Sequence, residues 1–297
     1  MKIIPGPASK ALGEGIAKIV GAEIIPVTSK IFTDGETYVR LEGKPHGEHL
    51  VLVQTTCPPQ DRNLIALALM ASAAKRNGAS KVTAVVPYLA YARQDKIFLQ
   101  GETVSAEVVA RMLQAAGVDE LLTVNIHEKK VLAMFPFPAR TVSAIPLLAE
   151  HFVQRGFKGA FALAPDKGAL YIADEAKTIL GGESDHLDKT RDRYTGEVKT
   201  EMKTLNVRGK TCIIFDDLVT SGDTIVNSAK VLKANGAGKI FTATAHPILA
   251  GNAEKRILDA GVEEIVGTDS VPGLAIKVTL APLIARELRV FLQPMET

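Results

Sequence analysis

Short apolar runs alternate along this chain with longer stretches whose apolar residues recur every three or four positions. HLVLVQTT (49–56) predicts a strand, NLIALALMASAAKRNGA (63–79) a helix with a glycine stop, and KVTAVVPYLA (81–90) a second strand. Further on, CIIFDD (212–217) predicts a strand, TIVNSAKVLKANGA (224–237) a helix and KIFTATAHPILA (239–250) another strand. In that helix Ile225, Ala229 and Leu232 fall at i, i+4 and i+7, one face of a 3.6-residue period. Strands joined through helices pair in parallel. The rhythm therefore predicts an α/β fold of mainly parallel sheets flanked by helices.

The rhythm also repeats. NGASKVTAVV at 77–86 matches NGAGKIFTAT at 235–244. The repeat predicts two tandem domains, 1–142 and 143–289, with a tail at 290–297 that returns to the first. The halves differ in chemistry. After its strand the first reads Gln54-Thr-Thr-Cys-Pro-Pro-Gln60, whereas the second reads Asp-Asp-Leu-Val-Thr-Ser-Gly-Asp-Thr.

Composition narrows the function classes. The 297 residues are 46% hydrophobic, enough for substantial cores, and the formal net charge is +2. That balance, with 5% aromatic residues, leaves neither a basic footprint nor stacking platforms for nucleic acid. Two cysteines, Cys57 and Cys212, make no disulfide framework. The N-terminus lacks the apolar core of a signal peptide, and no segment approaches a membrane-spanning run, so a cytoplasmic protein is expected.

In open α/β sheets, ligands collect outside the carboxyl ends of the strands. Asp216 and Asp217 stand at such an end. Ionised carboxylates only accept hydrogen bonds, which suits sugar hydroxyls or a metal ion. The turn that follows, Thr220, Ser221, Gly222, Asp223 and Thr224, offers hydroxyls, a glycine and the N–H groups that open a helix, a natural phosphate cradle. Asp223 repels phosphate, so its side chain is expected to point outward. RGKT (208–211) imitates the end of a P-loop. However, Thr204 replaces the required glycine and a strand follows where a P-loop needs a helix.

The order strand, Asp-Asp, Thr-Ser-Gly-Asp-Thr, helix resembles the phosphoribosyl-diphosphate motif of the type I phosphoribosyltransferase fold. Other segments follow in a consistent order: IFTDGETYVR (31–40), YLAYARQDK (88–96), LTVNIHEKK (121–129), LAPDKGALYIA (163–173) and LDKTRDR (187–193). Together they resemble the ribose-phosphate diphosphokinase, or phosphoribosyl pyrophosphate synthetase, family over residues 30–250. The resemblance implies transfer of a diphosphoryl group from ATP to the C1 hydroxyl of ribose 5-phosphate. It implies that Phe32, Asp34, Gly35 and Glu36 approach the adenine from a neighbouring subunit. Arg93, Gln94 and Lys96 would bind ATP near its phosphates. His127 and Asp166 would hold Mg2+, and Lys189 and Arg191 would form a catalytic pair, Arg191 also reaching the ribose 5-phosphate. Asp216, Asp217 and the loop 220–224 would hold the ribose 5-phosphate. Two alternatives share parts of this pattern: a phosphoribosyltransferase, which needs no ATP site, and a non-catalytic regulatory homologue, which needs no catalytic cations. Thr220 stands where many relatives have aspartate, and Lys167 follows Asp166 without an assigned role.

Overall fold

The computed structural model describes residues 1–43, 45–191, 198–200, 203–273 and 275–292, with side chains described except at 189–191, 198–200 and 290–292. Arg193 and the rest of the LDKTRDR segment beyond Arg191 lie outside the described residues.

The chain forms two compact units. The first contains β1 (Lys2–Pro5), α1 (Lys10–Val20), β2 (Glu23–Ile24), β3 (Val27–Ile31), β4 (Thr37–Leu41), β5 (His49–Val53), α2 (Gln60–Arg76), β6 (Lys81–Val86), α3 (Ser105–Ala115), β7 (Glu120–Val124) and β8 (Ala139–Val142). The second contains α4 (Ile145–Gln154), β9 (Phe161–Ala164), α5 (Leu170–Leu180), β10 (Ser184–His186), β11 (Lys189–Arg191), β12 (Val198–Thr200), β13 (Thr211–Val219), α6 (Asp223–Ala234), β14 (Lys239–Pro247), α7 (Ala253–Asp259), β15 (Glu264–Thr268) and β16 (Ile276–Val278). The last helix, α8 (Ala281–Leu292), belongs to the first unit, which also takes Ser270–Pro272 and the chain from Thr279.

This corrects the expectation that 143–289 is one continuous domain. The reason is hydrophobic. Ala281, Ile284, Ala285 and Leu288 are buried on one face of α8, which packs against α1. Isolated, that apolar stripe would face water.

Each unit is built on a six-stranded, all-parallel sheet, in the orders β2-β1-β5-β6-β7-β8 and β10-β9-β13-β14-β15-β16. The two orders are the same plan. In each, a two-stranded antiparallel excursion leaves between the second and third strands of the unit's sheet sequence: β3–β4 in the first unit and β11–β12 in the second. Strands covered on both faces read as continuous apolar runs rather than alternations. Accordingly Leu50–Val53, Val82–Val86 and Cys212–Phe215 are buried throughout. Helices supply the covers: Leu64, Leu67, Met70, Ala71 and Ala74 of α2 are buried, as are Ile225, Ala229 and Leu232 of α6. The matching NGA stops behave alike. Gly78 and Gly236 take φ +85° and +76°, and their carbonyls accept from Gly47 and Gly209, each at 2.8 Å.

Candidate active site

The second unit carries the acid-rich edge. Its strand β13 runs further than expected, to Val219, so Asp216 and Asp217 lie inside the strand rather than at its carboxyl end. Asp216 pairs with Thr244 of β14, and Val219 with Pro247. The extension is possible because β14 is equally long and supplies ladder partners. Asp217 is buried, while Asp216 is half-buried with Oδ1 accepting from the Asp217 N–H at 3.0 Å. The Asp217 carbonyl accepts from Thr244 Oγ1 at 3.2 Å. The acids thus stand on a backbone tied to β14, beyond the Cys212–Ile214 segment where β9 also pairs with β13.

The turn follows directly. Gly222 takes φ +81° and caps α6, whose first residue is Asp223. A β-carbon at Gly222 would lie 3.0 Å from Ile257 Cδ1 of α7, so the turn rests against that helix. Thr220 is half-buried, and its carbonyl accepts from Ala250 at 2.9 Å, tying the turn to the loop after β14. Asp223 points outward, as electrostatics required. It accepts from Ser221 Oγ at 2.7 Å and pairs with Arg256, whose Nη1 also donates to the Ser221 carbonyl at 3.2 Å. The Ser221 hydroxyl and the Arg256 guanidinium hold its carboxyl below the ordinary aspartate range. Arg256 was not singled out from the sequence. It sits 33 residues away on another helix, with no local pattern to mark it. Thr224 opens the helix behind the turn.

Asp166 stands two residues past β9 and caps a short 3-10 turn, its Oδ1 accepting from the Ala169 N–H at 3.1 Å. Lys167 beside it is exposed. Lys189 and Arg191 are the two ends of β11, which pairs antiparallel with β12 (Lys189 opposite Thr200, Arg191 opposite Val198).

The first unit carries the remaining candidates. Phe32, Asp34, Gly35 and Glu36 form the tip of the β3–β4 hairpin. The Phe32 N–H donates to the Glu36 carbonyl at 2.8 Å, and the Glu36 N–H to Asp34 Oδ1 at 3.1 Å. Phe32 packs edge-on to Tyr38 at 5.8 Å, and Lys30 Nζ lies 4.6 Å from the Phe32 ring centre. Phe32 is nonetheless exposed.

Arg93, Gln94 and Lys96 lie between β6 and α3. Arg93 and Lys96 are exposed, while Gln94 Oε1 accepts from Ser105 Oγ at 2.5 Å. Between them Asp95 is buried and bonded to Lys130 at 2.6 Å. That ammonium holds the Asp95 carboxyl below its usual range. The pair fastens the Arg93–Lys96 loop to the segment just after His127, which is exposed beyond the end of β7.

The first unit's counterpart of the edge at 216–224 is closed on itself. Gln54, Thr55 and Thr56 are fully buried. Gln54 Oε1 accepts from the Ala8 N–H, Thr55 N–H donates to Ser9 Oγ, and Thr56 Oγ1 donates to the Tyr88 carbonyl and accepts from the Ala90 N–H. Polar groups spent on the chain itself are not offered to a ligand.

Comparisons with known proteins bear on the family and the fold. A family model described as the N-terminal domain of ribose phosphate pyrophosphokinase matches residues 1–117, and one described as a phosphoribosyl synthetase-associated domain matches 193–285. The ribose-phosphate pyrophosphokinase of Methanothermobacter thermautotrophicus is 41% identical over 95% of this chain and 98% of its own. That of Saccharolobus solfataricus is 36% identical over 91% and 93%. The crystal structure of phosphoribosylpyrophosphate synthetase from Mycobacterium smegmatis superposes with a TM-score of 0.87 at 27% identity, covering 98% of both chains. Matches of this length embrace both units. By that measure the chain belongs to the ribose-phosphate pyrophosphokinase family.

Proposed function

We propose that this protein transfers the diphosphoryl group of ATP to the C1 hydroxyl of ribose 5-phosphate, giving 5-phosphoribosyl 1-diphosphate and AMP. The observation that carries the reading is the β13 edge: two acids on a strand laddered to β14, then a left-handed glycine turn into the N-terminus of α6. Acids suit the ribose hydroxyls, and helix N–H groups suit the 5-phosphate. Asp216 and Asp217 would accept from the sugar, and Thr220, Ser221, Gly222 and Thr224 would line the phosphate. Turning Asp223 onto Arg256 removes the one repulsive charge from that cradle.

The C1 oxygen attacks the β-phosphorus of ATP. The bond from that phosphorus to the α–β bridging oxygen breaks, and AMP departs with the bridging oxygen. The sugar hydroxyl is the nucleophile, so no covalent enzyme intermediate is formed. Charge accumulates on the non-bridging oxygens, and positioning with charge neutralisation carries most of the catalysis. Lys189 and Arg191 supply cations for that charge. Phe32, Asp34, Gly35 and Glu36 receive the adenine of an ATP held by Arg93, Gln94 and Lys96. The exposed aromatic hairpin tip supports a site completed by a neighbouring subunit, and hence self-association.

Among the described residues no group of three or more His, Cys, Asp or Glu could enclose an ion. Magnesium needs only one or two protein ligands and keeps water and phosphate oxygens for the rest, so the donor set of His127 and Asp166 fits it. Bound there, it would neutralise phosphate charge. No helix among the described residues is long and apolar enough to cross a membrane, and we assign the reaction to the cytoplasm.

The test is AMP formation from ATP and magnesium, with and without ribose 5-phosphate, in the wild type and in Lys189→Ala. Ribose-dependent AMP is expected from the wild type, with a fall of about 10²-fold or more in the variant. Folded wild-type protein that forms no AMP would sink the reading.

A further inference from the structure

The β11–β12 excursion leaves the second sheet after β10, and the chain comes back at Lys203. Three polar side chains meet at that neck. Lys203 Nζ donates to Asp185 Oδ1 at 2.6 Å and to the His186 carbonyl at 2.8 Å. Asn235, the C-cap of α6, donates through Nδ2 to the Lys203 carbonyl at 3.0 Å and accepts at Oδ1 from the Leu205 N–H at 2.8 Å. Just before β11, Leu187 is fully buried and its N–H donates to the Ala164 carbonyl of β9. The outgoing strand is therefore fixed to the sheet, the returning segment to α6, and the two to each other.

These contacts are sheltered. Lys203 and Asp185 side chains are 26% and 34% exposed, so solvent and salt screen them less than a surface pair. Burial opposes the Asp185 charge, but the Lys203 ammonium and the His186 N–H outweigh it and hold the carboxyl below its ordinary range.

The internal repeat provides a control. Asn77 Nδ2 donates to the Ala73 carbonyl at 2.8 Å, and Asn235 Nδ2 makes the matching bond to Val231 at 2.9 Å. Ties from Asn235 to Lys203 and Leu205 are additions in the second unit. The excursion of the first unit is necked differently, by Thr28 against Glu42 and by the Glu42 N–H on the Pro26 carbonyl. Meanwhile α6 spans from Asp223, at the phosphate turn, to Ala234, next to Asn235. One rigid helix thus connects the turn proposed to hold the 5-phosphate with the neck of the strand proposed to carry the catalytic cations.

We infer that Lys203, clasped by Asp185 and Asn235, is a positioning residue that sets where β11 presents Lys189 and Arg191 relative to the phosphate turn. The inference rests on the proposed role of β11 in diphosphoryl transfer. Lys203 Nζ engages Asp185 and the His186 carbonyl, and its effect passes through the backbone of the ribbon.

Lys203→Met keeps most of the side chain's length and removes the ammonium. Its kcat should fall about 10- to 100-fold, the scale of a small misplacement of catalytic groups. The KM values for ATP and ribose 5-phosphate should stay within about twofold. Amide exchange should quicken at 184–191 and 198–200 and remain unchanged in β13 and α6. Lys203→Arg should recover most of the turnover. Asp185→Asn should reproduce the loss, and the double variant should add little to either. Wild-type kcat and exchange in Lys203→Met would overturn the inference. A fall in kcat without faster exchange would assign Lys203 to the substrates instead. Exchange quickened throughout the unit would reduce it to a general stabiliser. Lys189→Ala, assayed alongside, separates the two layers: full turnover there removes β11 from catalysis, while exchange at the neck still decides whether the clasp exists.

Discussion

Cys212 opens the apolar run that carries the two acids, and it shows how a single residue reads differently in sequence and in space. Its place in a run of β-branched and aromatic residues identifies it as a core side chain, and it is fully buried. Burial pushes its thiol up to about 11, and burial also raises Cys57. The thiolate is the reactive form, so at about pH 8 neither side chain should act as a nucleophile. Thiol reagents should therefore label the folded protein slowly and the unfolded protein at both positions. Rapid labelling of the native protein with loss of turnover would contradict the direct transfer proposed above. Asp216 and Asp217 were equally legible, because a polar pair closing an apolar run is a contiguous signal. Arg256 was not: its value lies in facing Asp223, and that meeting is made by the packing of α7 under the phosphate turn.

At the scale of elements, the two excursions are the informative comparison. Asp34-Gly35 at the tip of the β3–β4 hairpin is a turn-forming pair that marks the hairpin locally. Its counterpart β11–β12 has no such dipeptide, only mixed charge, and reads as a loop from sequence. What identifies them as equivalent is their common place in the strand order. The β13–α6 connection depends on one glycine. Gly222 adopts φ +81°, and a β-carbon there would press on Ile257. Gly222→Ala should cost about 1–2 kcal/mol from the left-handed conformation alone. Because the strain is local to the turn, the KM for ribose 5-phosphate should rise well before that for ATP. Equal KM values for both substrates in wild type and variant would show that the turn does not set sugar-phosphate affinity.

Across the whole molecule, the duplication explains both the likeness and the asymmetry of the units. Each repeats the same sheet plan. In the first, Gln54–Thr56 are fully buried and bonded to the chain, while in the second the corresponding edge carries a half-buried Asp216, a buried Asp217, a half-buried Thr220 and an exposed Ser221. The chain is also not a simple concatenation. From Thr279 it rejoins the first unit, with Leu283, Ile284 and Leu288 buried and Arg289 donating to the Ile19 carbonyl at 2.9 Å. Three such side chains at about 2 kcal/mol each approach the whole stability of a domain, about 5–15 kcal/mol. A chain ending at Val278 should therefore lose cooperative melting of the first unit and expose the apolar face of α1 to a hydrophobic dye. An unaltered melting transition in that truncation would refute this account of α8.

The sequence by itself determined the α/β class, the alternation of strands and helices, the repeated plan and which residues make up the Asp-Asp and Thr-Ser-Gly-Asp-Thr segment. All of these are patterns among neighbouring residues, where periodicity and turn chemistry act. Only the tertiary structure decided that Asp223 is neutralised by Arg256, that Lys203 and Asn235 close the neck of β11–β12, that Asp95 and Lys130 join two loops, and that α8 covers α1. Those partners are separated by between 32 and 270 residues. Which of them meet depends on how the sheet reverses the chain, and no local pattern encodes that geometry.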